Sequence, residues 1–161
     1  MNKFYYGIRS IHEANVLARR VVNALGGSED VVKQMVEIAC VETQCGTYPD
    51  SHPEKMGVGV CQHDQINIDD IQDEGEQRHF DIVEKEFGYD IPKIELSDLA
   101  YDPLLSFICC RLSLKRIPEA IPSDLLCRAK YWKKYYNTEA GAGTVEHYLE
   151  SVKQHLGEDW T

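Results

Sequence analysis

Apolar residues recur at intervals of three and four along most of the chain, which is the spacing of one face of an α-helix. The first stripe follows a capping box of Ser10 and Glu13 and ends at the glycine pair 26–27. Ser28 precedes a second stripe that we expect to run to about Glu42. Because the connection is short, the two helices are expected to pack as an antiparallel or steeply crossed pair. The apolar positions are Ile11, Ala14, Leu17, Val21, Leu25, Val31, Met35 and Ile38.

Four further helical stripes follow, each with a local start or stop signal. They lie at residues 80–87, after the cap and proline at 102–103, after Ser123 and after Thr144. The helix after residue 103 is the most apolar, so we expect it to be the buried central helix. Its apolar positions include Leu104, Phe107, Ile108, Cys109, Cys110 and Leu112.

Between the second helix and these later stripes the pattern changes. Residues 43–65 lose the helical period, and Val58, Val60 and Gln62 alternate with glycines and a cysteine, which predicts a short strand or hairpin arm. The architecture is therefore expected to be mainly α, with a small β excursion after the second helix.

The acidic segment 69–76 is predicted to be a solvated face. Ile66, Ile68 and Ile71 would hold it to the core. The chain has no internal repeat and no linker long enough to divide it, so residues 1–161 are predicted to be one domain.

The charge balance limits the partners. Seventeen basic and twenty-seven acidic residues give a formal charge of −10, which argues against nucleic-acid binding. No apolar run is long enough to span a membrane, so no membrane insertion is expected. The first residues lack the apolar segment of a secretory signal, so we expect synthesis in a cytosol without a signal peptide.

The six cysteines are expected to be free thiols in such a reducing compartment. A zinc site assembled from cysteines and histidines is the alternative. The spacing contains no close-set CxxC pair, so we predict no metal and no cofactor. The candidate ligands would be Cys40, Cys45, His52, Cys61 and His63.

Glu42 has the most distinctive position of the acidic residues. It comes four residues after Ile38 and continues the apolar row of the second helix. Desolvation on such a row raises the pKa of a carboxyl group, and a carboxylic acid that stays protonated near neutral pH suits general acid catalysis. The alternative is an ordinary solvated residue at a helix end.

Three short blocks follow one another in an order known from a family. They are Glu42-Thr43, the segment 59–62 (Gly-Val-Cys-Gln), and Tyr136-Asn137 before Gly141. The chain from about residue 28 to residue 150 thereby resembles soluble lytic transglycosylases and goose-type lysozymes, in the divergent form carried by bacteriophages. Thr43 stands where the family has serine and Cys61 where it has methionine, and the middle block of the family is not matched.

The resemblance implies a lysozyme-like fold and cleavage of the β-1,4 bond between N-acetylmuramic acid and N-acetylglucosamine in peptidoglycan. It makes Glu42 the catalytic acid and base. It also makes five residues substrate-binding: Thr43, Gly59, Gln62, Tyr136 and Asn137.

A second carboxylate would distinguish a hydrolase from a transglycosylase. Lytic transglycosylases use one Glu, which takes the proton of the sugar's own 6-hydroxyl as a 1,6-anhydro ring closes. Asp50 and Asp64 flank the β excursion and are the candidates to activate a water, although both are also explained as turn residues. The aromatic cluster of Tyr131, Trp132, Tyr135 and Tyr136 suits stacking on sugars, with part of it in the core.

The leading hypothesis is therefore a bacteriophage enzyme that acts at the bacterial cell wall, as an endolysin released at lysis or as a virion-borne enzyme. Its partners would be peptidoglycan strands and, in the virion-borne case, other virion proteins. Two alternatives stay open at this stage: an inactive virion protein with a lysozyme-like fold, and a cytosolic zinc-binding module.

Overall fold

The structure, a computed structural model, describes residues 2–49, 57–137 and 141–161. The described chain is mainly helical, which confirms the predicted class. Short 3-10 turns occupy Ile91–Lys93 and Leu96–Leu99, and a π-helix occupies Trp132–Asn137. The α-helices are α1 (Ile11–Leu25), α2 (Glu29–Thr43), α3 (Gln65–Glu74), α4 (Gln77–Phe87), α5 (Pro103–Lys115), α6 (Leu125–Tyr131) and α7 (Val145–Leu156).

Local capping signals determine several helix starts. The side chains of Ser10, Asp102 and Thr144 each accept a hydrogen bond of 3.0 Å from the backbone N–H three residues later. These bonds satisfy donors that the first turn leaves unpaired, and they confirm the predicted starts. The helix expected to begin at Ser123 is capped instead by Asp124, whose carboxylate accepts from the backbone N–H of Cys127 at 3.0 Å.

Helix α5 is the centre of the core, as predicted. Every residue from Leu105 to Leu114 is buried, including the adjacent free cysteines at 109 and 110. Helix α1 packs against both α2 and α5, and α2 also packs against α7. One continuous cluster of buried apolar side chains extends from Tyr6 to Val152.

Most of the acidic segment lies in helix α3, and one of the three isoleucines expected to hold it does not reach the core. Ile68 and Ile71 are buried, whereas Ile66 is 65% exposed. The prediction for Ile66 was wrong because residues two apart on a helix point in opposite directions, while residues three apart share a face.

The predicted strand at residues 57–62 is reduced to a single antiparallel bridge. Val58 and His63 exchange backbone hydrogen bonds of 2.8 and 3.1 Å, and the residues between them form a turn. Gly59 and Gln62 have φ values of 80° and 53°, which an extended strand does not contain. The described residues contain this one isolated bridge and no β-strand.

Helix α2 carries a buried polar group on the side facing α6 and α7. Glu37 and Arg128 are each 0% exposed, and the guanidinium donates to both carboxylate oxygens, at 2.9 Å from Nε and 2.8 Å from Nη2. Tyr148 and Trp160 also donate hydrogen bonds to the Glu37 carboxylate, at 2.7 and 2.6 Å. We call these four residues the Glu37 cluster. It connects α2, α6, α7 and the residues after α7.

No helix in the described ranges combines the length and the apolar composition needed to cross a membrane.

Candidate functional site

A surface cavity of about 440 Å³ lies where the end of α2, the turn at 58–63, the start of α3, the end of α5 and the π-helix meet. Four of the six residues predicted for the site line it, although they come from three separate segments of the chain. The full lining is Glu42, Gln62, His63, Asp64, Asn67, Ser113, Arg116, Ile117, Tyr135, Tyr136 and Asn137.

Glu42 lies in the last turn of α2 and is partly buried. The adjacent Thr43 does not line the cavity, because its side chain is buried. Its hydroxyl lies 2.8 Å from the carbonyl oxygen of Val60 and accepts a hydrogen bond of 3.1 Å from the backbone N–H of Gly46. Thr43 therefore positions the helix end that carries Glu42 relative to the turn at 58–63, and does not contact a ligand in the cavity.

The end of α2 is also held by a covalent bond. Cys40 and Cys45 form a disulfide across the helix end, with their Cα atoms 4.2 Å apart. The expectation of six free thiols was therefore wrong for this pair, since sequence spacing alone does not show that the chain turns back here. Residues Gln44 and Cys45 turn the chain with φ values of 52° and 54°. The free cysteines are Cys61, Cys109 and Cys110, which are buried, and Cys127, which is exposed.

The disulfide bears on the zinc alternative, because Cys40 and Cys45 are bonded to each other. No group of three or more His, Cys, Asp or Glu side chains among the described residues is arranged to hold a metal ion. His52, another candidate ligand, and Asp50, a candidate second carboxylate, lie outside the described residues.

Gly59 is needed for packing within the protein. A Cβ at this position would lie 2.6 Å from the carbonyl oxygen of Leu99 and 2.6 Å from the hydroxyl of Ser106. The close approach that the sequence indicated at Gly59 is therefore made by the chain itself, and Gly59 is not among the residues that line the cavity.

Gln62 closes the same turn and does line the cavity. Its side-chain Nε2 donates a hydrogen bond of 2.8 Å to the carbonyl oxygen of Gly59. The amide thus stabilises the turn while its side chain forms part of the cavity wall.

Tyr136 lines the same cavity as Glu42. Burial raises the pKa of the Tyr136 phenol, and the nearby Cys110, Cys61 and Glu42 raise it further. The phenol therefore stays protonated and can donate a hydrogen bond at neutral pH. Burial also raises the pKa of the Cys61 thiol, so this thiol stays uncharged.

The π-helix brings consecutive residues to the cavity. Tyr135, Tyr136 and Asn137 all line it, whereas Trp132 is buried in the core. The amino group of Lys133 donates to the Asn137 side-chain oxygen at 3.0 Å and to the carbonyl oxygen of Gly141 at 2.9 Å. Asn137 is therefore held by Lys133, a residue that was not among the predicted site residues.

The rest of the cavity wall is polar, and its residues were not predicted from the sequence. His63 is buried between the Asn67 amide, 2.6 Å from Nδ1, and the Ser106 carbonyl oxygen, 3.0 Å from Nε2. Both partner atoms, Asn67 Oδ1 and the Ser106 carbonyl oxygen, are acceptors. Burial lowers the pKa of His63, and these two hydrogen bonds act in the opposite direction. The Asn67 side chain in turn donates to the hydroxyl of Ser113 at 2.9 Å.

Asp64 has two roles at once. It caps α3 by accepting the backbone N–H of Asn67 at 2.8 Å, which confirms its interpretation as a turn residue. It also lines the cavity that contains Glu42. Its role as a turn residue was predicted from the sequence. Ser113 and Arg116 carried no comparable signal, because they reach the cavity only through the packing of α5.

Comparisons of the chain with protein-family models, with curated proteins and with solved structures give no match.

Proposed function

We propose that the protein is a peptidoglycan-cleaving glycosidase of the lysozyme or lytic transglycosylase type, carried by a bacteriophage and acting at the bacterial cell wall. Its substrate is the β-1,4 bond between N-acetylmuramic acid and N-acetylglucosamine. One observation carries the proposal: Glu42, Gln62, Tyr136 and Asn137 line one cavity although they come from three distant segments. Tyr136 and Asn137 are consecutive in the sequence, so the convergence is of three segments.

The cavity has the properties that the reaction needs. Its volume of about 440 Å³ lies within the usual range for small-molecule sites. Glu42 supplies the proton to the leaving glycosidic oxygen as positive charge develops on the sugar ring. The side chains of Gln62 and Asn137 offer amide groups to hydroxyl and N-acetyl groups, and Tyr136 offers a protonated phenol beside Glu42.

The second half of the reaction depends on Asp64. As a hydrolase the enzyme would use this carboxylate to activate a water, and as a transglycosylase it would use Glu42 alone with the sugar's 6-hydroxyl as nucleophile. The Asp64→Asn variant separates these cases. A large loss of turnover is expected for a hydrolase, and a small loss for a transglycosylase, because asparagine also caps helices well.

The test is zymography on purified peptidoglycan, followed by mass spectrometry of the soluble products. Cleared zones with reducing ends indicate a lysozyme, and cleared zones with 1,6-anhydro ends indicate a lytic transglycosylase. Treatment with a chelator should leave the clearing unchanged. No clearing by folded protein would overturn the proposal and favour an inactive virion protein.

A further inference from the structure

Lys133 lies on the π-helix, four residues before Asn137, and is partly buried. It is not among the residues that line the candidate site. Its amino group nevertheless donates a hydrogen bond to the Asn137 side-chain oxygen at 3.0 Å and another to the Gly141 carbonyl oxygen at 2.9 Å. Lys133 therefore reaches the cavity only through a residue that lines it.

The contact with Lys133 determines which end of the Asn137 amide faces the ammonium group. An ammonium group only donates hydrogen bonds, whereas a carboxamide has an oxygen that accepts them and an NH2 group that donates them. If the amide were turned by half a rotation, its NH2 group would oppose the ammonium, donor against donor. The side-chain oxygen of Asn137 is therefore held at Lys133, and the NH2 group is left for another partner.

The chain after residue 140 packs closely around the same amide. A Cβ at Gly141 would collide with the Asn137 side-chain oxygen, and a Cβ at Gly143 would lie 3.3 Å from Asn137 Nδ2. Both glycines thus leave the space that the amide occupies. No described residue accepts a hydrogen bond from Asn137 Nδ2. The Asn137 side chain is therefore held at its oxygen and unbonded at its donor.

Gln62, which also lines the cavity, is held in the opposite sense. Its Nε2 donates a hydrogen bond of 2.8 Å to the Gly59 carbonyl oxygen, so its side-chain oxygen is the end left for a ligand. The cavity thus offers a donor from the π-helix and an acceptor from the turn at 58–63. Fixing a side chain in advance reduces the conformational entropy that is lost when a ligand binds.

We infer that Lys133 is a positioning residue of the proposed enzyme. It holds the Asn137 amide so that the NH2 group donates a hydrogen bond to an acceptor oxygen of the bound glycan. This inference rests on the proposed function and adds to it the polarity with which Asn137 is used. Without Lys133 the amide is free to turn, and the cavity presents either end of it to the ligand.

The experiment is a double-mutant cycle on the binding of chitotetraose, a soluble chain of N-acetylated sugars, measured by calorimetry. We expect Asn137→Ala to weaken binding by about tenfold, the usual effect of one hydrogen bond. Lys133→Met should weaken it by about threefold to tenfold, the range for losing the fixed position of one side chain. In the Asn137→Ala background, Lys133→Met should have no further effect, because Lys133 acts only through Asn137.

Two further variants distinguish this role from a general effect of charge or stability. Lys133→Arg keeps a group that only donates hydrogen bonds, so it should restore most of the affinity that Lys133→Met loses. Lys130→Met removes the same charge from an exposed position three residues earlier and should bind like the wild type. Thermal unfolding of each variant shows that the folded state is retained.

Unchanged binding by folded Lys133→Met would overturn the inference, and so would a full further loss when it is added to Asn137→Ala. Failure of Lys133→Met to fold would assign Lys133 to the fold and overturn the inference too, as would no binding of chitotetraose by the wild type. Clearing of peptidoglycan by the wild type tests the proposed function separately. Clearing without an effect of Lys133 would remove only the positioning role, whereas the expected cycle in a protein that clears no wall would indicate a sugar-binding protein.

Discussion

Helix α2 carries two glutamates with opposite surroundings. Glu37 is 0% exposed and is bonded to Arg128, Tyr148 and Trp160. Glu42, in the last turn of the same helix, is partly buried and lines the candidate active site. From the sequence, Glu42 was selected because it continues an apolar row, yet Glu37 is the more deeply buried residue.

Under the proposed function, the difference implies that burial alone does not identify a catalytic carboxyl group. Glu37 is fixed by a bidentate guanidinium and two further donors, so no acceptor position remains for a substrate. Glu42 combines partial burial with access to a cavity. Its role depends on being at a helix end, where the protein surface can be concave.

The largest expected effect is on activity and comes from Glu42→Gln. The amide has nearly the same volume but cannot donate an acidic proton, so wall cleavage should fall by about 10²–10⁴-fold or more while the melting temperature stays nearly unchanged. Turbidity loss of purified walls and thermal unfolding of the same preparation are the measurements. Activity within a few-fold of the wild type would remove Glu42 from the catalytic role.

Glu37→Gln should instead lower the stability of the folded protein. It removes the buried partner of the Arg128 guanidinium and leaves only the partly exposed Asp30, 3.9 Å away, as a counter-charge. Removing one partner of a buried pair typically costs about 3–5 kcal/mol of unfolding free energy. Urea unfolding measures this loss. Glu29→Gln on the same helix removes a surface pair with Arg19 and is the control, with a much smaller expected effect. A stable Glu37→Gln variant would show that the Glu37 cluster contributes little to stability.

Gly59→Ala tests whether the turn at the cavity belongs to the site or to the fold. The new Cβ would meet Leu99 and Ser106, so we expect a loss of stability about 1–3 kcal/mol greater than that of Gly88→Ala. Gly88 has a φ of 81° against 80° for Gly59 and has open space around it, so it reproduces the backbone strain without the crowding. Equal losses for the two variants would contradict the packing assigned to Gly59.

The disulfide at the end of α2 should have a moderate effect on stability. Closing so short a loop is worth about 2 kcal/mol in the chain-entropy description, so Cys40→Ser/Cys45→Ser should unfold at correspondingly lower urea concentration. Cys127→Ser, at an exposed free thiol, is the control. Thiol titration of unreduced, unfolded protein should count four groups, the number of free cysteines, and a count of six would show that the pair is not oxidised.

The smallest effect is the pH dependence that comes from His63. Its folded pKa is lowered by burial, so the unfolded chain binds the proton more tightly and stability is lost as the pH falls below about 6.5. The loss from one such group is at most about 1.4 kcal/mol per pH unit. The stability difference between wild type and His63→Gln should therefore shrink between pH 7 and pH 5. A control, His147→Gln at an exposed position, should show no such trend.

The helices were predictable because their signals are local. Capping side chains, glycine stops and apolar stripes each depend on residues within a few positions, and the bounds of α1 follow from them directly. The short strand was not predictable in the same way. Alternation at residues 57–62 does not reveal that Gly59 and Gln62 adopt positive φ values.

The candidate site likewise contains residues that local motifs identified and residues that only the fold brings to the cavity. Glu42, Gln62, Tyr136 and Asn137 were found through short motifs, and the structure brings them to one cavity. The wall that includes Ser113 and Arg116 depends on how α5 packs against α3, which no short motif encodes. Glu37 was missed because its partner Arg128 lies far along the chain and the pairing is visible only in three dimensions.

The π-helix at Trp132–Asn137 acts like a single residue inserted into a helix. One extra residue turns everything that follows by about 100° and advances it by about 1.5 Å. The direction in which Tyr136 and Asn137 point around the helix axis is therefore set by the number of residues that precede them in the helix, as well as by their identity. A deletion of the exposed Lys134 would keep both residues and still move them out of register with Glu42, so an insertion or deletion upstream alters this site as much as a substitution within it.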